Sequence, residues 1–110
     1  MSSEVETFIK NVEDYWLAIR EGTSKAANAK QRANKKLVDQ WIKDGHALDI
    51  LSTLLEHQSN AVKLAATACL INTDSKEKCI GVLRYLIEND PTLIASSAGA
   101  VLRFNKIKNP

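Results

Sequence analysis

The residues able to do chemistry in this chain are few and poorly grouped. His46 and His57 stand eleven positions apart at opposite ends of one expected helix, which separates them by roughly 16 Å at 1.5 Å per residue. They cannot share a metal ion within that helix, and each reads as a surface or capping histidine. Cys69 and Cys79 each lie inside an apolar helical pattern. A nucleophilic cysteine needs an activating base and partial exposure, so both are expected as reduced core thiols, and two cysteines are too few for a disulfide framework. Glu13 and Asp14 are adjacent and diverge by about 100° on a helix, while Asp74 and Glu77 read as a cap and a first-turn acid. The sequence holds no glycine-rich phosphate loop, no Gly-x-Ser-x-Gly elbow, no His-Glu-x-x-His and no Cys-x-x-Cys. The expectation is a chain that is not an enzyme, without cofactor, metal or small-molecule substrate.

Composition sets the frame for these residues. The 110 residues are 45% hydrophobic and 25% charged, an ordinary globular balance that fits one domain over 1–110. No apolar run approaches the ~18 to 20 residues of a membrane-spanning helix, and Met1-Ser2-Ser3-Glu4 has neither a basic nor an apolar leader segment. A cytoplasmic location without membrane contact is therefore expected. The net charge of +2 is unevenly spread: residues 1–22 carry five acids and two bases, residues 23–45 six bases and two acids.

The apolar spacing is helical throughout. Ser3 and Glu6 form a candidate capping box, and Gly22 is a candidate helix terminator. Between them Val5, Phe8, Ile9, Val12, Trp16 and Ile19 make one apolar stripe. A second helix is expected from a Thr23 or Ser24 cap to Gly45, with Ala26, Ala33, Leu37 and Trp41 on its packed face, widened by Val38 and Ile42. Trp16 and Trp41 are expected in the core, with Tyr15 and Leu17 as candidates for an exposed apolar patch. On the far side of the second helix Lys25, Arg32, Lys36 and Lys43 align at spacings of seven, four and seven. This is a candidate nucleic-acid-binding face, but the absence of interleaved aromatics and the small net charge favour a solvated surface. Four shorter helices are expected at 46–57, 60–72, 75–89 and 91–105, with Ser59, Asp74 and Asp90 as N-caps and Pro91 in a first turn.

These four helices repeat. At an offset of 32, Leu48, Leu51, Leu54 and Leu55 align with Ile80, Leu83, Leu86 and Ile87, and Val62, Ala66, Ala68, Cys69 and Leu70 with Ile94, Ala98, Ala100, Val101 and Leu102. An ungapped register over two helices argues for a duplicated helix–turn–helix unit. The stretch Leu54-Leu55-Glu56-His57-Gln58-Ser59-Asn60-Ala61-Val62-Lys63-Leu64-Ala65-Ala66 resembles the junction of a HEAT repeat. Asn89-Asp90-Pro91 keeps the turn of the second copy, with Ala95 at the position of Lys63.

The resemblance covers 46–105 and implies an all-α, HEAT-like stack of about six helices in three antiparallel pairs: 3–45 as a degenerate first pair, 46–72 and 75–105 as repeats. In such stacks the second helices line the concave side, which would place Asn60, Lys63 and Thr67 there, extended by Thr92, Ser96, Gly99 and Arg103. Lys30 and Asn34, on the second helix of the first pair, complete the candidate protein-binding set of Lys30, Asn34, Asn60, Lys63, Thr67, Ser96 and Arg103. The chain is also similar in size and layout to small bacterial HEAT-like domains. Some of these are immunity proteins that bind and neutralise toxins, including those of contact-dependent growth inhibition. The expected function is therefore a non-enzymatic protein-binding module whose partner is another protein such as a toxin domain. An adaptor or regulatory subunit, or nucleic-acid binding through the basic helix face, are the alternatives.

Overall fold

A computed structural model describes residues 3–105 as six helices: α1 (Ser3–Glu21), α2 (Ser24–Asp44), α3 (Ala47–Leu54), α4 (Asn60–Leu70), α5 (Lys76–Asn89) and α6 (Leu93–Phe104). Among the described residues there is no strand, and no helix is long and apolar enough to cross a membrane. The expected all-α class is thus observed. The chain divides into two compact units, residues 1–50 and 51–110.

In the first unit α1 and α2 form a hairpin. Its turn is made by Gly22 at φ +78°, a left-handed backbone that glycine adopts without the steric cost a Cβ would add. The Gly22 N–H donates to the Ile19 carbonyl and the Thr23 N–H to that of Ala18, at 3.2 and 2.9 Å, so the end of α1 is closed by its own backbone. Gly45 ends α2 in the same way, donating to Ile42 while His46 donates to Trp41. The hairpin buries Val5, Phe8, Val12 and Ala18 from α1 with Ala27 and Trp41 from α2. Phe8 and Trp41 meet at 5.5 Å between centroids, and the Trp41 indole N–H finds the Glu4 carboxylate at 3.3 Å, which satisfies the polar edge of an otherwise buried ring.

Several expectations are corrected here. Ala26 and Ala33 are exposed, and the packed side of α2 is centred on Ala27, Lys30, Asn34 and Trp41. The cause is a polar pair inside the interface: the buried Asn11 amide donates to the Asn34 side-chain oxygen at 2.9 Å, and Asn34 donates to the Phe8 carbonyl at 3.1 Å. That pair turns α2 away from the face its alanines alone suggest. Trp16 is only half-buried and lies edge-on to Tyr15 at 5.3 Å, whereas Leu17 is exposed as expected. Ser3 is itself helical rather than a cap, and the Thr23 hydroxyl donates to the Ala18 carbonyl instead of capping α2.

In the second unit α5 packs on α6, and α4 on both. The core joins Leu51, Leu54 and Leu55 to Val62, Ala66 and Leu70, to Cys79, Leu83 and Leu86, and to Ala98 and Leu102. Burial recurs at the offset of 32: the pairs Leu51 and Leu83, Leu54 and Leu86, Ala66 and Ala98, and Leu70 and Leu102 are all buried, while Ala68 and Ala100 are both exposed. The other aligned pairs depart from this: Leu48 is exposed where Ile80 is buried, Leu55 and Val62 are buried where Ile87 and Ile94 are half-buried, and Cys69 is exposed where Val101 is half-buried.

Ser59 caps α4 as expected, accepting from the Val62 N–H. The other two expected caps move. Ser75 rather than Asp74 precedes α5, without a side-chain cap bond, and Thr92 caps α6 by accepting the Ile94 N–H at 3.2 Å. Asp90 accepts the Thr92 N–H at 2.7 Å, so it organises the turn ahead of the cap and leaves Pro91 outside the helix.

Candidate functional site

The polar strip of α4 carries the best-defined geometry. Asn60, at the helix start, donates to the Asp90 carboxylate at 2.9 Å, tying the turn before α4 to the turn before α6. One turn on, the Lys63 ammonium lies 4.6 Å from the centroid of the Tyr85 ring on α5, within the range of a cation–π contact. Tyr85 is 47% exposed, so the pair stands at the surface of the unit. Thr67, a further turn along, is fully buried and donates to the Lys63 carbonyl at 2.8 Å. The expected concave strip is therefore corrected: Asn60 and Lys63 reach across to the turn before α6 and to α5, and Thr67 belongs to the core. The accessible side of α4 is instead Ala68 and Cys69. A second tie, Lys78 to Glu56 at 3.1 Å, joins α5 to the turn before α4.

Asp90 shows how this arrangement sets its own electrostatics. Burial alone would raise the carboxyl pKa, but hydrogen bonds from Thr92 and Asn60 outweigh it and hold the group below the usual carboxylate range.

On α6, Ser96 and Arg103 are exposed as expected, together with Leu93, Ala100 and Phe104. Gly99 is buried instead of sharing their face. Thr67 and Gly99, equivalent at the offset of 32, are thus both interior positions.

The first unit contributes differently. Lys30 and Asn34 point toward α1: Lys30 pairs with Asp14 at 3.6 Å and Asn34 holds Asn11. The expectation of a partner-facing role is corrected for Asn34, whose amide is engaged between the helices, whereas the Lys30 side chain stays 42% exposed beside Asp14. Asp14 is held low chiefly by the hydrogen bond from Lys10, opposed by desolvation and helped by the charges of Lys10 and Lys30. The basic face, by contrast, is as open as expected. Lys25, Arg32, Lys36 and Lys43 are all exposed, and among the described residues none pairs with an acid, whereas Lys35 beside them is bound to Asp39 at 3.1 Å.

The chemistry-bearing groups stay apart. Among the described residues, no three His, Cys, Asp or Glu side chains are grouped so as to hold a metal ion. His57 accepts the Ser59 N–H at 3.0 Å and so acts as a turn cap, while His46 is exposed. Cys79 is buried, but Cys69 is exposed, which corrects its expected place in the core. Desolvation by the surrounding atoms still pushes both thiols up, with Lys78 partly opposing it at Cys79. Beside His57 lies a shallow, open depression lined by Thr53, Leu54, Glu56, His57 and Gln58.

Sequence reasoning missed Tyr85, Asp90 as a clasp, and Asn11. Asn11 did leave a signal, as a lone amide flanked by Phe8, Val12 and Tyr15 on one helix face.

No family model, curated protein or solved structure matches the chain.

Proposed function

We propose that this chain is a non-enzymatic protein-binding module built as a HEAT-like helical repeat with antiparallel helix pairs. Its most specific form is a cytoplasmic immunity protein that binds and neutralises a cognate bacterial toxin domain. The duplicated burial pattern at the offset of 32 supports the repeat, and the Asn60–Asp90 bond supports it further because it links equivalent turns of the two copies. The single observation that carries the binding role is the Lys63–Tyr85 pair. An aromatic ring half open to solvent, with a cation already seated beside it on rigid helices, is the kind of amphipathic anchor that dominates protein interfaces. Its ordering cost is partly met before a partner arrives.

The test is binding by Lys63→Glu and Tyr85→Ala chains. Both residues are at the surface, so helical content should stay unchanged while affinity for a captured protein partner falls by at least about tenfold, as for an interface anchor worth over 1 kcal/mol. For the immunity reading, co-expression with the captured partner should protect cells from its toxicity, and both substitutions should weaken that protection. Thr67 is unsuitable for this test, since it is fully buried and a larger side chain there would disturb the core.

A further inference from the structure

The outer faces of α1 and α2 carry the same spacing with inverted charge. Glu6, Glu13, Leu17 and Arg20 follow one another at seven, four and three residues, and so do Lys25, Arg32, Lys36 and Asp39. All eight are exposed. Laid parallel at an offset of 19, the two series set Glu6 against Lys25, Glu13 against Arg32 and Arg20 against Asp39. Leu17, 45% exposed, then meets the aliphatic stem of Lys36, a contact long cationic side chains make readily. No like charges oppose each other along that line, which runs for about 21 Å of helix.

Within one chain these faces cannot meet. Phe8, Asn11 and Val12 turn toward α2, and Ala27, Asn34 and Trp41 toward α1. At about 100° per residue the two charged series then point away from each other on opposite sides of the hairpin. Glu6, Glu13 and Arg20, like Lys25 and Arg32, have no ion-pair partner among the described residues.

We propose that the basic face of α2 docks on the acidic face of α1 of a second copy of this chain. The contact is head-to-tail, so each added copy leaves one face of each sign free for a further copy. Because every pair is solvent-exposed, the association is weak at moderate salt and grows as screening is removed. The proposal uses neither Lys63 nor Tyr85, and neither reading depends on the other.

The test is sedimentation equilibrium of the nuclease-treated, full chain over a concentration series at about 20 mM and about 200 mM salt, on either side of the change in screening length. The expected result is a weight-average mass that rises above the monomer with concentration at low salt and returns to the monomer at high salt. Glu6→Lys with Glu13→Lys, and separately Lys25→Glu with Arg32→Glu, should each abolish the increase. All four substitutions in one chain restore complementarity and should bring it back. Circular dichroism controls for folding, which exposed substitutions leave intact. A monomer at low salt, association indifferent to the paired reversals, or no recovery in the fourfold variant would each overturn the proposal. Association that appears only with nucleic acid added back would likewise overturn it and assign the basic face to phosphates.

Discussion

Replacing Asn34 by alanine separates a structural amide from a partner-binding one. In the hairpin, Asn34 accepts from the Asn11 amide and donates to the Phe8 carbonyl. Asn11 is only 8% exposed, so water cannot easily replace the lost partner. The Phe8 carbonyl keeps its helical hydrogen bond, which leaves the Asn11 amide as the main stranded group, at about 1–3 kcal/mol. The better helix propensity of alanine offsets only a few tenths of that, up to ~0.7 kcal/mol. For a domain of roughly this size each kcal/mol moves the midpoint by about 4–8 °C. A drop on the order of 5–15 °C is therefore expected for Asn34→Ala, followed by far-ultraviolet circular dichroism during heating. Asn11→Ala should also destabilise, and the double variant should lose clearly less than the two single effects added, with a coupling of about 0.5–3 kcal/mol. An unchanged or raised midpoint for Asn34→Ala, or strict additivity, would refute the clasp.

Other consequences follow from burial and charge. Trp41, 2% exposed and packed at a tilt against Phe8, should cost about 3–5 kcal/mol when replaced by alanine, measurable as a fall in the urea midpoint. Asp90 has a lowered folded-state pKa, so its carboxylate stabilises the fold fully above the ordinary unfolded value of 3.8. That contribution is lost as pH falls through the lower folded value. The Asp90→Asn chain should therefore show a smaller loss of stability between neutral and strongly acidic pH, and an equal loss would contradict the clasp with Asn60 and Thr92. In native protein one thiol, Cys69, should react with an alkylating reagent and Cys79 only on unfolding. Because desolvation raises the Cys69 pKa, its reaction should be slower near neutral pH than that of a small free thiol, which a stopped alkylation series read by mass would show.

The helices were legible because their apolar spacing is regular and their ends carry strong local signals. Gly22 and Gly45 terminate α1 and α2 through left-handed backbone, and Ser59 caps α4, as their residue types require. Burial matches at several positions 32 residues apart for the same reason, as at Leu51 and Leu83 or Ala66 and Ala98. The orientation of polar strips was not. Periodicity says which residues share a face, but an amide or cation can point at a neighbouring helix as readily as at water. Asn34 and Thr67 found partners inside their units, and Lys63 a ring at the surface. Cys69 failed in the opposite sense: an apolar pattern all round α4 concealed that Ala68 and Cys69 are exposed.

The most direct test of the binding role is affinity capture of the tagged chain from its native host at moderate salt, nuclease-treated, beside the Tyr85→Ala chain at equal loading. The account predicts a stoichiometric protein partner held by the parent chain and lost with the tyrosine. Equal recovery of every protein on both chains, or recovery of nucleic acid alone before nuclease, would contradict it.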